Sequence, residues 1–239
     1  MTSFAFETIG RIHSCFTEKF GIPRQPNLVP EACAVLELLP GFQHSDAFRE
    51  LEGFSHIWLI FVFHQCHGRG WKTTVRPPRL GGNRRVGVFA SRSGFRPNPI
   101  GQSVVRLVSL ENRKEGSRLH LSGIDLLDGT PVLDIKPYLP YADSLPDARA
   151  GYAVAAPAPK FQVVFSELAA QACRSLDARR YPDLPNLIRG VLAQDPRPSY
   201  RPPDDRKSFG MRLWDLNVRF RIEDHQVVVT AIDPVSIDT

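Results

Sequence analysis

Turn residues cut this chain repeatedly before residue 140, and that limits what it can fold into. The apolar stretches Phe6–Phe16 (around Ile9 and Ile12), Ala32–Leu39, Phe54–Phe63, Val104–Val108, Arg118–Ile124 and Pro131–Lys136 are all of strand length. Stops such as Pro40-Gly41, Gly53 and Asp128-Gly129 separate them. Branched and aromatic side chains dominate the third, as buried strands require. Ser45-Asp46 reads as the cap of a short helix ended by Gly53. Arg118–Ile124 and Pro131–Lys136 read as a strand pair around Asp128-Gly129, a hairpin signal. Many short strands with few helices predict a closed β-barrel over residues 1–145.

The pattern changes afterwards. Residues 146–159 are rich in Ala and Pro and read as a linker. Over 160–239 the sequence predicts a small α+β domain. Phe161–Phe165 reads as a strand, and Ser166 as the cap of a helix carrying Leu168, Ala169, Ala172 and Leu176 at helical spacing. Leu184–Gln194 is a second helix, stopped by Asp195-Pro196. Phe209–Ile222 and Gln226–Ile232 then form a hairpin. The fold class is mainly β, a barrel followed by a small α+β C-terminal domain.

The stretch from Arg84 to Gly101, RRVGVFASRSGFRPNPIG, reads as strand, rigid polar loop, strand. Pro97 and Pro99 fix their own φ and restrict Arg96 and Asn98 before them. Arg92 and Arg96 are thus carried on a stiff backbone, either for a task or as solvated charges on a stiffened hairpin. Charge is concentrated here as well. No acidic residue occurs between Glu52 and Glu111, yet Arg69, Lys72, Arg76, Arg79, Arg84, Arg85, Arg92, Arg96 and Arg106 all do. Those nine exceed the net charge of +5, so the remaining chain carries −4. A cationic surface on a slightly acidic body points to a polyanion, nucleic acid first. A solubilising face is the plainer alternative.

Cys15, Cys33, Cys66 and Cys173 are far apart and suit a reduced, cytoplasmic chain. His64, Cys66 and His67 lie together, but no second ligand pair supports a metal, and none is expected. The acidic Glu7 and the lack of a long apolar start argue against a signal peptide. Ile57–Phe63 is too short to span a bilayer, so no membrane partner is expected. No G-x-G-x-x-G follows a strand, and there is no Walker loop and no G-x-S-x-G elbow. Any cofactor must sit among barrel loops.

The Arg84–Gly101 loop resembles the signature of the TsaA-like β-barrel family, which includes the TrmO-type tRNA methyltransferases. KFGIPRQP (19–26), FSHIW (54–58), RPPRLGG (76–82), GIDLLDGTPVLDIKPY (123–138) and DPRPSY (195–200) extend the resemblance in order along the chain. Ser91 and Gly94 depart from the family's more usual Thr and Pro, and Gly94 is expected to loosen the loop slightly.

The resemblance implies S-adenosyl-L-methionine as cofactor. It places Pro23, Arg24, Gln25, His64, Gln65, Arg92, Gln102, Asp125, Leu126, Leu127 and Asp128 along the donor pocket. Arg92 suits a carboxylate or phosphate, and Asp125 and Asp128 suit ribose or amine groups. Plainer readings stand beside these: Asp128 as a turn residue, Gln102 as an outward strand residue, His64 as a hydrogen-bonded strand-end histidine. Asp134, Lys136 and Tyr138 share one face of a strand, as acceptor-positioning or proton-shuttling groups or as a rim ion pair. No base is required in principle, because alignment supplies much of the rate of an in-line methyl transfer.

The implied activity is methylation of the exocyclic nitrogen of the threonylcarbamoyl-modified adenosine at position 37 of threonine tRNA, by a cytoplasmic homodimer. Arg69, Lys72, Arg76, Arg79, Arg84 and Arg85 would hold the anticodon stem-loop. Arg197 and Tyr200, with Arg201, would add a cation and an aromatic from the second domain. A non-catalytic S-adenosylmethionine- or nucleotide-sensing RNA-binding module is the alternative. An enzyme using the same donor on a small molecule is a third reading.

Overall fold

The computed structural model of the protein describes residues 2–113, 116–197, 207–223 and 226–235. The N-terminal strands are β1 (Gly10–Ser14), β2 (Cys33–Leu38), β3 (His56–Val62), β4 (Thr74–Val75), β5 (Val86–Gly87), β6 (Ile100–Arg113), β7 (Gly116–Ser122) and β8 (Pro131–Pro137). Six of them close a barrel in the order β1-β2-β7-β6-β3-β8, with β1 pairing back to β8 through Gly10↔Val132. β4 and β5 form a separate two-stranded ribbon inside the long connection from β3 to β6.

Alternation fills the barrel. Ile12, Leu36, Ile57, Leu59, Leu119 and Leu121 point inward and are fully buried. The interior is therefore packed side chain, and a ligand has to be held at the rim or on the wall. Closure also removes exposed sheet edges.

The predicted pairing of β7 with β8 is not formed. β7 lies between β2 and β6, and its hairpin partner is β6. The Asp128-Gly129 turn is bound to β1 instead: Asp128 N–H donates to Phe16 O and Gly129 N–H to Ile12 O, both at 2.8 Å. Ser14 N–H donates to Asp128 Oδ1 at 3.0 Å. The turn thus directs β8 across the barrel end to β1. The helix expected near Ser45 is two short 3-10 turns, Ser45–Phe48 and Leu51–Gly53, and the first is preceded by His44 with no side-chain cap.

After a single turn α1 (Pro140–Asp143) come β9 (Gln162–Phe165), α2 (Glu167–Ser175), α3 (Leu184–Ala193), β10 (Phe209–Leu213), β11 (Leu216–Glu223) and β12 (Gln226–Pro234). The second sheet runs β10-β11-β12-β9, with β9 parallel to β12. Ser166 caps α2, its hydroxyl accepting from Ala169 N–H at 3.2 Å. Ala169 is buried, but Leu168 is 66% exposed and lies outside the core predicted for it. The strand expected over 209–222 breaks into two at Trp214, whose φ is 51°.

The two units are fastened together by the segment 15–31. Trp214 N–H donates to Cys15 O at 2.8 Å, Arg212 N–H donates to Glu18 Oε1 at 3.0 Å, and Phe20 stacks on Phe220 with ring centroids 6.4 Å apart. Gly21 has φ +96°, and a Cβ there would lie 2.6 Å from Met211 Sδ, so only glycine permits this approach. Phe16, Val29, Leu187, Leu192 and Met211 are all buried within one continuous core.

Candidate functional site

Antiparallel register sends the ends of β1, β3 and β7, and the starts of β2, β6 and β8, to one end of the barrel. Three connections emerge there: 15–32, 63–99 and 123–130. They carry the proposed donor-site residues from Pro23, Arg24 and Gln25, from His64, Gln65 and Arg92, and from Asp125 to Asp128. The barrel topology brings them to a common end despite their separation in sequence.

Within that set, specific contacts form. Arg92 Nη1 donates to Gln25 Oε1 at 2.6 Å, joining the first and second loops. Ser103 Oγ donates to Asp125 Oδ1 at 2.7 Å, joining β6 to the third. Burial pushes the Asp125 carboxyl up to about 6, against the opposing pull of Ser103 and the Arg92 charge. Asn27, with φ 62°, ties the first and third loops: its N–H donates to Gly123 O at 2.9 Å and its amide to Val104 O at 3.0 Å. Gly123 has φ +73°, and a Cβ there would stand 2.2 Å from Asn27 Oδ1. Pro23 is buried, and Arg24 is exposed.

Other expected donor residues are differently occupied. Asp128 holds β1 as described, and His13 Nδ1 lies 3.8 Å from its Oδ1. Leu126 O accepts from Ser14 Oγ at 2.8 Å and Leu127 O from Thr130 Oγ1 at 2.7 Å. Burial, followed by the Arg11 and Lys19 charges, lowers the His64 pKa, which keeps its imidazole neutral at pH 7. Gln102 lies on the outer wall beside Ile60, on whose other side Asp134 pairs.

Asp134 and Lys136 make an exposed ion pair at 2.8 Å on that wall, and Tyr138 packs on Trp58 with ring centroids 5.9 Å apart. Tyr138 N–H donates to His56 O, toward the barrel end opposite the donor loops. This trio is therefore not brought to Asp125 and Arg92.

The stiff loop is built as its prolines suggest. Arg96 Nη1 donates to Ser91 O and Ser93 O at 3.1 and 3.2 Å, so this guanidinium serves the loop itself. Gly94 packs tightly where the sequence suggests looseness: a Cβ there would meet the Phe63 ring at 2.8 Å. Arg69, Lys72, Arg76, Arg79, Arg84 and Arg85 are all exposed on the 63–99 connection, and none pairs with a described acidic side chain. Lys72 lies over the Phe95 ring at 4.6 Å, and Arg79 donates to Ala155 O of the linker.

Arg197 departs from its expected place on an exposed basic surface. It is 2% exposed. Its Nε donates to Asp195 Oδ1 at 2.8 Å and its Nη2 to Asp195 Oδ2 at 3.2 Å, between Phe161 and Phe209. A guanidinium in a bidentate pair under two aromatic rings is a structural clamp of the C-terminal unit. Tyr200 and Arg201 lie outside the described residues.

Ser103 and Asn27 escaped sequence reasoning. Ser103 had one readable mark, a hydroxyl in the inward phase between Gly101 and Val105. Asn27 had none, because its contacts are non-local. Among the described residues no group of His, Cys, Asp and Glu is arranged to hold a metal, and no helix is long and apolar enough to cross a membrane.

A barrel of this order, followed by this sheet-and-helix unit, belongs to a family that spans the chain. Residues 11–144 match the tRNA-methyltransferase O N-terminal domain and residues 158–235 the TrmO C-terminal domain. The chain is a member of the TrmO family. It is 52% identical over 235 residues to the tRNA (adenine(37)-N6)-methyltransferase of Escherichia coli K12, covering 98% of this chain and 100% of that one. A Pseudomonas aeruginosa chain with the provisional name S-adenosylmethionine-dependent methyltransferase RcsF is 55% identical over 212 residues, covering 89% of this chain and 90% of that one. The crystal structure of TrmO from P. aeruginosa superposes with a TM-score of 0.82 at 45% identity, covering 98% of each chain.

Proposed function

We propose that the protein transfers a methyl group from S-adenosylmethionine to the exocyclic nitrogen of adenosine 37 in tRNA. We further propose that its preferred acceptor is the threonylcarbamoyl-modified adenosine of threonine tRNA. The observation that carries the reading is the meeting of Gln25, Arg92, Asp125 and Ser103 at one barrel end, on the loop system that also bears the exposed cations Arg69 to Arg85. The names of the E. coli and P. aeruginosa relatives support the same chemistry.

The residues present fit this donor. A half-buried carboxylate with a raised pKa, Asp125, has no cationic hydrogen-bonding partner among the described residues and would accept from the donor's amine or ribose. Arg92, exposed and held by Gln25, offers its remaining guanidinium edge to the donor's carboxylate. The donor supplies an electrophilic methyl group when bound. The chain's contribution is alignment, with the loops pinned by Asn27 and by Arg96. The Lys136–Asp134 pair and Tyr138 are not assigned a step. A homodimer is the assembly that the family resemblance implies.

The test is methyl transfer from labelled donor to tRNA from cells with and without the threonylcarbamoyl modification, followed by nucleoside digestion. The expected product is the N6-methylated threonylcarbamoyl nucleoside, formed only from modified tRNA. Equal labelling of both tRNA pools would remove the specificity claim. No labelling of either would leave a non-catalytic binding module.

A further inference from the structure

Phe89 occupies an unusual place for a large apolar residue. It is 75% exposed, while its neighbour Val88 is 1% exposed. Floppiness does not account for this, because the backbone around it is fixed from several sides. Val88 N–H donates to Thr73 O at 3.0 Å, and Ser91 N–H and Oγ both donate to Val88 O. Tyr152 Oη donates to Ala90 O at 2.8 Å, so the connecting segment braces the same turn. Val88 anchors inward and the ring is thereby held out in water. This position forgoes the hydrophobic stabilisation that burying a Phe ring would give.

The ribbon explains what the ring faces. β4 and β5 pair as Thr74↔Gly87 and Val75↔Val86. The start of β4 and the end of β5 therefore share one end of the ribbon, which places Trp71, Lys72 and Phe89 there. Trp71 is itself 51% exposed. Arg76, Arg79, Arg84 and Arg85 leave from the other end. The aromatic end is the one next to the candidate pocket. Lys72 N–H donates to Phe95 O, and Phe89 is three residues from Arg92, within about 11 Å along the chain.

We propose that Phe89, with Trp71 beside it, is a stacking platform for an unpaired nucleobase adjoining the nucleotide that enters the pocket. This deepens the function proposed above and rests on it. Aromatics near the pocket with cations farther out match an RNA stem-loop, whose splayed bases lie at the tip and whose paired backbone lies behind. Aromatic faces take any base by stacking, and the cations follow the phosphates. Charge favours RNA over a second copy of this chain as the occupant, because Lys72 at this end and the guanidiniums at the far end of the ribbon would repel their own copies.

The experiment compares Phe89→Ala, Phe89→Leu and Phe89→Tyr with wild type. Methyl transfer to total tRNA is measured alongside donor affinity by calorimetry and sedimentation of the free protein. The Ala and Leu variants should need about fivefold to hundredfold more tRNA for half-maximal rate, the range expected for loss of one base–aromatic stack. Donor affinity and the salt dependence of tRNA binding should stay unchanged, and the Tyr variant should stay close to wild type. A Leu variant equal to wild type would overturn the platform, since leucine keeps the apolar volume without a ring. So would an Ala variant that changes the sedimentation of the free protein, which would make Phe89 a contact between copies. If wild type itself labels no tRNA, the proposed function fails. The platform then stands or falls on whether Phe89→Ala weakens binding of single-stranded oligoadenylate.

Discussion

Asp125 is held at a cost. Its carboxyl is raised from 3.8 to about 6 by burial, so the folded state binds the proton more tightly than the unfolded chain. Such a group favours folding fully below about pH 4, and the advantage is lost as pH rises through 6. The loss is on the order of 3 kcal/mol by neutral pH, if nothing positive enters beside it. Asp125→Asn should therefore raise the melting temperature at pH 7.5 and flatten its dependence between pH 4 and 6, while weakening donor binding at neutral pH. Thermal melts at pH 4 and pH 7.5 with a donor titration check this; a variant less stable at both would assign Asp125 a purely structural role. The Gln25, Arg92 and Asp125 loops were legible as polar stretches, but the Arg92–Gln25 and Ser103–Asp125 bonds were not. Arg197 shows the limit more sharply. Its neighbours in sequence, prolines and polar residues, suggest surface. Its partners Phe161 and Phe209 come from other elements and bury it.

At the scale of elements, the β4–β5 ribbon and its flanks carry cations that pair with no acidic side chain among the described residues. Arg84→Ala combined with Arg85→Ala should lower the salt dependence of tRNA binding by about one unit of log–log slope per lost phosphate contact. Donor affinity should be unaffected. Binding titrations over a range of salt concentrations decide it, and an unchanged slope would reduce the ribbon to a solvated face. The strands themselves were largely readable, because β2, β3, β7 and β8 are short and regularly punctuated. Their partners were not. Asp128-Gly129 has the composition of a hairpin turn, but Phe16 O and Ile12 O capture its N–H groups and send β8 to β1. Trp214 likewise breaks an apparently continuous strand because Cys15 O takes its N–H. Local composition marks where a strand stops; non-local hydrogen bonds determine its neighbour.

For the whole molecule, the linker at 146–159 suggests two separable domains, but the shared core joins them. Removing the residues after 147 would expose Phe16, Phe20 and Val29, which now pack with the C-terminal unit. The full chain should melt in a single cooperative transition, and a fragment ending at residue 147 should melt far lower or aggregate. Calorimetry of both is the check; two resolved transitions in the full chain would show that the units are energetically independent. The segment 15–31 has a further consequence, because it serves two masters. Its middle, at Gln25 and Asn27, belongs to the candidate donor pocket, and Cys15, Glu18 and Phe20 before them are fastened to the C-terminal sheet. Any ligand that quiets Gln25 will therefore be felt by amide hydrogens of β10 and β11, which should exchange with solvent more slowly although no ligand atom comes near them.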